Sequence, residues 1–93
     1  MSIVVRHTPS NLTAEKYDAT TSKLEEAGID FPPEGMQMHV CFGSDGDLRV
    51  SEIWDSREQF EAFGEKLFPA LKDAGIEFSG EPEVYEAHNL TTR

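Results

Sequence analysis

Apolar positions along the chain fall into runs whose spacing alternates between the period of a strand and that of a helix. Ile3-Val4-Val5 is a β-branched run rather than an alternation, which predicts a strand over residues 2–7 with both faces buried. Pro9 and Ser10 end it. Thr13 is placed to cap a helix running to about Ala27, with Glu15 near the helix's positive end. The apolar stripe of this helix is thin: Tyr17, Leu24 and Ala27, helped by Thr20 and Thr21. Phe31-Pro32-Pro33-Glu34-Gly35 is a stiff loop, because two prolines fix φ and neither can donate to a ladder. Met36 to Phe42 and Leu48 to Trp54 read as strands around Gly43-Ser44-Asp45-Gly46-Asp47, where Asp-Gly is a strong hairpin signal. Ser56 opens a second helix, Gln59 completes a capping box, and Phe60, Phe63, Leu67 and Leu71 share one face. Pro69 predicts a kink or a restart in that helix. After Gly80-Glu81-Pro82 comes a last strand, about Glu83 to His88, and Asn89 to Arg93 is expected to be a loose tail or an arm onto a partner.

One stretch occurs twice. Leu24-Glu25-Glu26-Ala27-Gly28-Ile29-Asp30-Phe31 returns 47 positions later as Leu71-Lys72-Asp73-Ala74-Gly75-Ile76-Glu77-Phe78. Each copy reads as a helix end, with glycine just past the last helical residue and an apolar residue packing back. The same offset carries residues 3–7 onto 50–54 and residues 36–42 onto 83–89. The pattern therefore predicts two β-α-β halves rather than two helices that merely stop alike.

The order β-α-β-β-α-β is the ferredoxin-like α+β arrangement, with a four-stranded antiparallel sheet and two helices on one face. The expectation is one such domain over residues 1–93, with a tail at about 89–93. Helices on one face leave the other bare, while the first strand reads as apolar on both sides. The simplest cover is a second copy, so a homodimer with sheets face to face is expected.

Charge narrows the partners. Eighteen acidic against 8 basic residues give −10, and the basic residues are scattered. Such a chain repels phosphate backbones and anionic lipid, which argues against nucleic acid and membrane partners. Cys41 is the only cysteine, so an intramolecular disulfide and a cysteine zinc cluster are excluded. The N-terminus shows no secretion signal, Ile3-Val4-Val5 is too short to span a bilayer, and a cytoplasmic protein is expected. Asn11-Leu12-Thr13 and Asn89-Leu90-Thr91 match the glycosylation pattern, which without a signal is read as chance.

Candidate chemistry centres on His39 and Glu52. A strand histidine is more often a structural residue than a catalyst, and a carboxylate in a central strand needs a partner. Their relation depends on register. With Asp45-Gly46 as a two-residue turn, Ser44 faces Asp47, and Gln37, His39 and Cys41 face Trp54, Glu52 and Val50, which puts imidazole beside carboxylate. With Phe42 facing Leu48 across a five-residue loop, Glu52 and Trp54 join Met36 and Met38, and His39 joins Arg49 and Ser51 on the other face. Asp-Gly favours the first. Tyr17, Phe60 and Phe63 would point at the sheet as an aromatic-walled pocket for a flat apolar ligand, or simply as core. His7 and His88 each end a strand. No His-x-His or His-x-x-x-His spacing, phosphate loop, activated serine or nucleotide fingerprint is present, and no metal or cofactor is assigned.

Arg49-Val50-Ser51-Glu52-Ile53-Trp54 followed by Asp55-Ser56-x-x-x-Phe60-x-x-Phe63 resembles a segment of the dimeric α+β barrel proteins, in the antibiotic-biosynthesis-monooxygenase form. The resemblance implies a pocket between sheet and helices, with Trp54 on its wall. Proteins of that kind include cofactor-independent oxygenases acting on aromatic polyketides, haem-degrading enzymes, and small proteins with no known activity. Haem-degrading members carry a second-helix histidine where this chain has Phe63 and Gly64, so the haem reading does not transfer. Two functions follow as expectations. One is a cofactor-independent monooxygenase-like enzyme in which His39 or Glu52 deprotonates a phenol or enol held by Trp54, Tyr17, Phe60 and Phe63. The other is a non-catalytic dimeric ligand-binding or assembly module.

Overall fold

In the computed structural model, which describes all 93 residues, the elements follow the predicted order. They are β1 (Ile3–His7), α1 (Ala14–Glu26), β2 (Met36–Ser44), β3 (Asp47–Trp54), α2 (Arg57–Asp73) and β4 (Glu83–Glu86). The strands form one antiparallel sheet in the order β2-β3-β1-β4. The central strand of one half thus lies beside that of the other. No helix is long and apolar enough to cross a membrane.

Both helix starts follow from capping. Thr13 accepts from the Lys16 N–H at 3.1 Å, and Ser56 accepts from the Gln59 N–H at 3.2 Å. The box at Ser56 closes differently from the usual form, because the Ser56 hydroxyl donates to Gln59 Oε1 at 3.0 Å. The duplicated octapeptide is a pair of Schellman ends. Gly28 and Gly75 sit at φ 73° and 76°, and their N–H groups reach back to Glu25 and Lys72. The Ile29 and Ile76 N–H groups bond the Leu24 and Leu71 carbonyls at 2.9 and 3.1 Å.

Three expectations are corrected. Helix α2 runs unbroken from Arg57 to Asp73, so no restart occurs at Pro69, which lies on the exposed side where its lost N–H bond is tolerated. Strand β4 is shorter than predicted and ends at Glu86; beyond it, the Ala87 N–H still reaches the Ser2 carbonyl at 3.0 Å. In the hairpin, Ser44 faces Asp47, Cys41 faces Val50 and His39 faces Glu52, as the two-residue turn requires. A bulge at Gln37 then places Met36, not Gln37, opposite Trp54. The bulged Gln37 amide donates to Ser2 Oγ and Asp55 Oδ1, both at 2.8 Å.

The core lies between sheet and helices: Ile3, Val5, Met36 and Trp54 from the strands against Leu24, Phe63 and Ala70. On the opposite sheet face, Tyr85, Val4, Ile53 and Met38 pair across all four strands as one apolar row. Met38, Val40, Phe42 and Tyr85 on this face are exposed. Val4 and Ile53 are half-buried, so β1 is covered on one face only.

Neither Gly28 nor Gly75 has an atom near the position a Cβ would take, so alanine there meets only the left-handed backbone penalty. Gly28→Ala and Gly75→Ala should each lower stability by about 1–2 kcal/mol, read as a lower urea midpoint at unchanged slope.

Candidate functional site

Alternation along β3 sends Val50, Glu52 and Trp54 to the helix-facing side of the sheet, and all three are buried. A carboxylate at a central-strand position must be fully partnered, and Glu52, only 3% exposed, is. Its Oε2 accepts from His39 Nδ1 at 2.8 Å, across the hairpin. Its Oε1 accepts from the Trp54 indole at 3.0 Å, and from His7 Nε2 at 3.1 Å. No buried polar side-chain atom of the protein lacks a partner.

The network extends to α1. Tyr17, one turn past the Thr13 cap, brings its hydroxyl to His39 Nε2 at 2.8 Å. Two bonds hold the start of this helix against the hairpin: the Ala14 N–H to Asp45 Oδ1 at 2.8 Å, and the Leu48 N–H to the Leu12 carbonyl at 3.1 Å. The turn that sets the β2–β3 register therefore also places Tyr17. Phe31, from the proline loop, stands edge-on to the His39 ring at 4.9 Å.

Electrostatics follow from this geometry. Burial is the largest influence on the Glu52 carboxyl and pushes it up. The hydrogen bonds from His39, His7 and Trp54 and the charge of His7 outweigh burial, and the carboxyl is lowered from 4.5 to about 2. The Tyr17 hydroxyl is pushed up by burial first, then by the charges of Cys41, Glu52 and Asp18.

Two neighbouring cavities flank the network. The inner one, about 60 Å³, has Tyr17, His39 and Glu52 on its wall, together with Phe31, Phe63 and apolar residues of both helices. The outer one, about 240 Å³, is lined by Phe60, Phe63, Gly64 and Phe68 of α2, with Gly80 and Pro82 on the far side. His7, Glu52, Phe63, Leu67, Leu71 and Phe78 line both, so the two cavities adjoin along a mainly apolar wall that includes the His7–Glu52 pair.

Of the residues singled out by sequence, His39, Glu52 and Tyr17 meet directly; Phe63 lines both cavities and Phe60 the outer one. Trp54 departs from expectation. It is fully buried, packed against Phe60 and Phe63 at 5.8 and 5.7 Å, and lines neither cavity; its indole supports the carboxylate instead. His7 is the residue that sequence reasoning did not assign. Its signal was the alternation Ile3, Val5, His7, which sends all three side chains to the face that holds Glu52.

No family model matches the sequence, and a search of curated proteins found no match to it. Solved structures do match its fold. A candidate antibiotic biosynthesis monooxygenase from Deinococcus radiodurans superposes with a TM-score of 0.60 at 14% identity, covering 100% of this chain and 98% of that one. A second candidate of the same description, from Chloroflexus aurantiacus, gives 0.57 at 20% identity, over 99% of this chain and 98% of that one. SnoaB, a cofactor-independent oxygenase from Streptomyces nogalater, gives 0.57 at 14% identity, over 99% and 96%. The fold is therefore the ferredoxin-like α+β fold of antibiotic-biosynthesis-monooxygenase-like proteins, over the whole chain.

Because the Glu52 carboxyl lies below its ordinary value, the stability it contributes is complete above pH 4.5 and is lost as pH falls towards 2. The size is about 3 kcal/mol. Glu52→Gln should forfeit that amount at neutral pH and flatten the acid limb of the stability curve, measured by urea unfolding at a series of pH values. A variant that matched the parent at both ends would show the network to be energetically idle.

Proposed function

We propose that the chain is a homodimeric small-molecule enzyme of the cofactor-independent oxygenase kind. The cleft between sheet and helices takes a planar, largely apolar molecule carrying a phenol or enol. His39 removes the proton, and the resulting anion reacts directly with dioxygen, which is the oxidant. The observation that carries this reading is the 2.8 Å contact between His39 Nδ1 and Glu52 at the edge of an apolar cavity. A buried carboxylate that only accepts holds the imidazole in one tautomer, leaves Nε2 as the basic nitrogen, and offsets the imidazolium that forms on proton uptake. Phe63 and Phe60 supply flat apolar walls for the ligand. The fold shared with SnoaB, described as a cofactor-independent oxygenase, is consistent with this chemistry and supports it only by analogy.

A second reading has its own support. The inner cavity, at about 60 Å³, is smaller than the usual 300–1,000 Å³ of a ligand pocket. Of the non-catalytic ligand-binding or assembly module, that favours the assembly form. Oxygen uptake with a panel of planar hydroxylated aromatics separates the two. The enzyme reading expects uptake that falls by about 10²–10⁴-fold in His39→Ala. No uptake and no thermal stabilisation by any member of the panel would leave the module.

The dimer proposal rests on the exposed row of Met38, Val40, Phe42 and Tyr85 on the face away from the helices. A second copy with its sheet against this face would bury it. Sedimentation should give a dimer for the parent chain and a monomer for Val40→Glu, whose carboxylate would be trapped at the interface without a partner.

A further inference from the structure

We propose that Tyr17 is a catalytic residue, meeting the ligand's hydroxyl and passing its proton on to His39. This rests on the reading of His39 as base and concerns the route by which a proton reaches it.

Both nitrogens of the imidazole are occupied. Nδ1 donates to Glu52 Oε2 at 2.8 Å, and since a carboxylate has no proton to give, the neutral ring carries its hydrogen there. The lone pair on Nε2 is then met by the Tyr17 hydroxyl at 2.8 Å. Phe31 meets the ring edge-on, with planes crossing at 83°, and the Tyr17 ring centroid lies 5.9 Å away, tilted by 32°. The base has no lone pair left facing the cavity. Tyr17 does: its hydroxyl oxygen uses its one hydrogen on His39 and makes no other hydrogen bond, so it can still accept, and it lines the inner cavity.

The proton balance is closed. The O–H bond of a phenol or enol breaks, and its proton goes to the Tyr17 oxygen. The proton already on Tyr17 moves to His39 Nε2, forming one N–H bond. Tyr17 is neutral before and after, the ligand gains the negative charge, and the imidazolium is paired with the Glu52 carboxylate. Burial and the neighbouring Cys41, Glu52 and Asp18 disfavour a tyrosinate, so the hydroxyl regains its proton and then donates to the new oxyanion. The ligand class follows: a hydroxyl on a flat conjugated frame, acidic enough to lose its proton where Tyr17 keeps its own.

The test uses 4-nitrophenol, whose absorbance reports its ionisation, bound to the full-length protein at one fixed pH near the probe's own. The parent chain is expected to bind it and raise its phenolate fraction above that in solution. Tyr17→Phe should bind it within about threefold of the parent, because only one hydrogen bond is lost. Its bound phenolate-to-phenol ratio should fall at least about tenfold, to the level of His39→Gln. Tyr17→3-fluorotyrosine keeps the hydroxyl and should restore the ratio, which separates loss of the relay from loss of fold. A Tyr17→Phe protein that ionises the probe as the parent does overturns the relay while leaving His39 as base, since the ligand would then reach Nε2 directly. A His39→Gln protein that still ionises it overturns the base and the relay together. Failure of the parent chain to bind the probe removes both.

Discussion

One buried negative charge organises this protein. The Glu52 carboxylate sits at the middle of the sheet, where an unpartnered ion would cost more than a small domain can spare. Its solvation shell is replaced by two imidazoles and an indole drawn from three different places in the chain. Each of these groups is a donor whose direction is set by strand register. The register is therefore constrained by more than apolar burial: a one-residue slip of β2 or β1 would expose its apolar face and also strip the carboxylate of a partner. Tyr17, tied to the hairpin tip through Asp45, extends the same constraint to a helix.

Much of the fold was legible in the sequence, because the signals are local and agree with one another. Capping at Thr13 and Ser56, the glycine ends at Gly28 and Gly75, and Asp45-Gly46 all act over four or five residues. Where a signal was local but its context was not, the reading failed. Whether Pro69 stops a helix depends on whether its lost bond and its ring can be accommodated, and that depends on which face of α2 the rest of the protein covers. The bulge at Gln37 likewise arises from Ser2 and Asp55, residues far off in sequence.

The site was legible in proportion to how much of it the hairpin alone determines. His39 and Glu52 are joined by a turn that can be read, and their contact follows from it. His7 reaches the same carboxylate through the β1–β3 pairing, which no short-range pattern specifies. Trp54 was misplaced for a different reason. An indole has both an apolar body and a donor, and sequence cannot tell whether its ring faces a cavity or its N–H faces a buried acceptor. Here the acceptor decided the orientation.

His7 and Trp54 occupy the same place in the two halves, 47 residues apart, and both donate to the same oxygen of Glu52. Two identical half-chains associating about a symmetry axis would have to offer the same side chain twice. At that oxygen they would present either two imidazoles and no indole, or two indoles and no imidazole. Joined in one polypeptide, the equivalent positions can diverge, one kept as an indole and the other as an imidazole. The asymmetry of the site is available only because the symmetry of the fold is no longer enforced on its sequence.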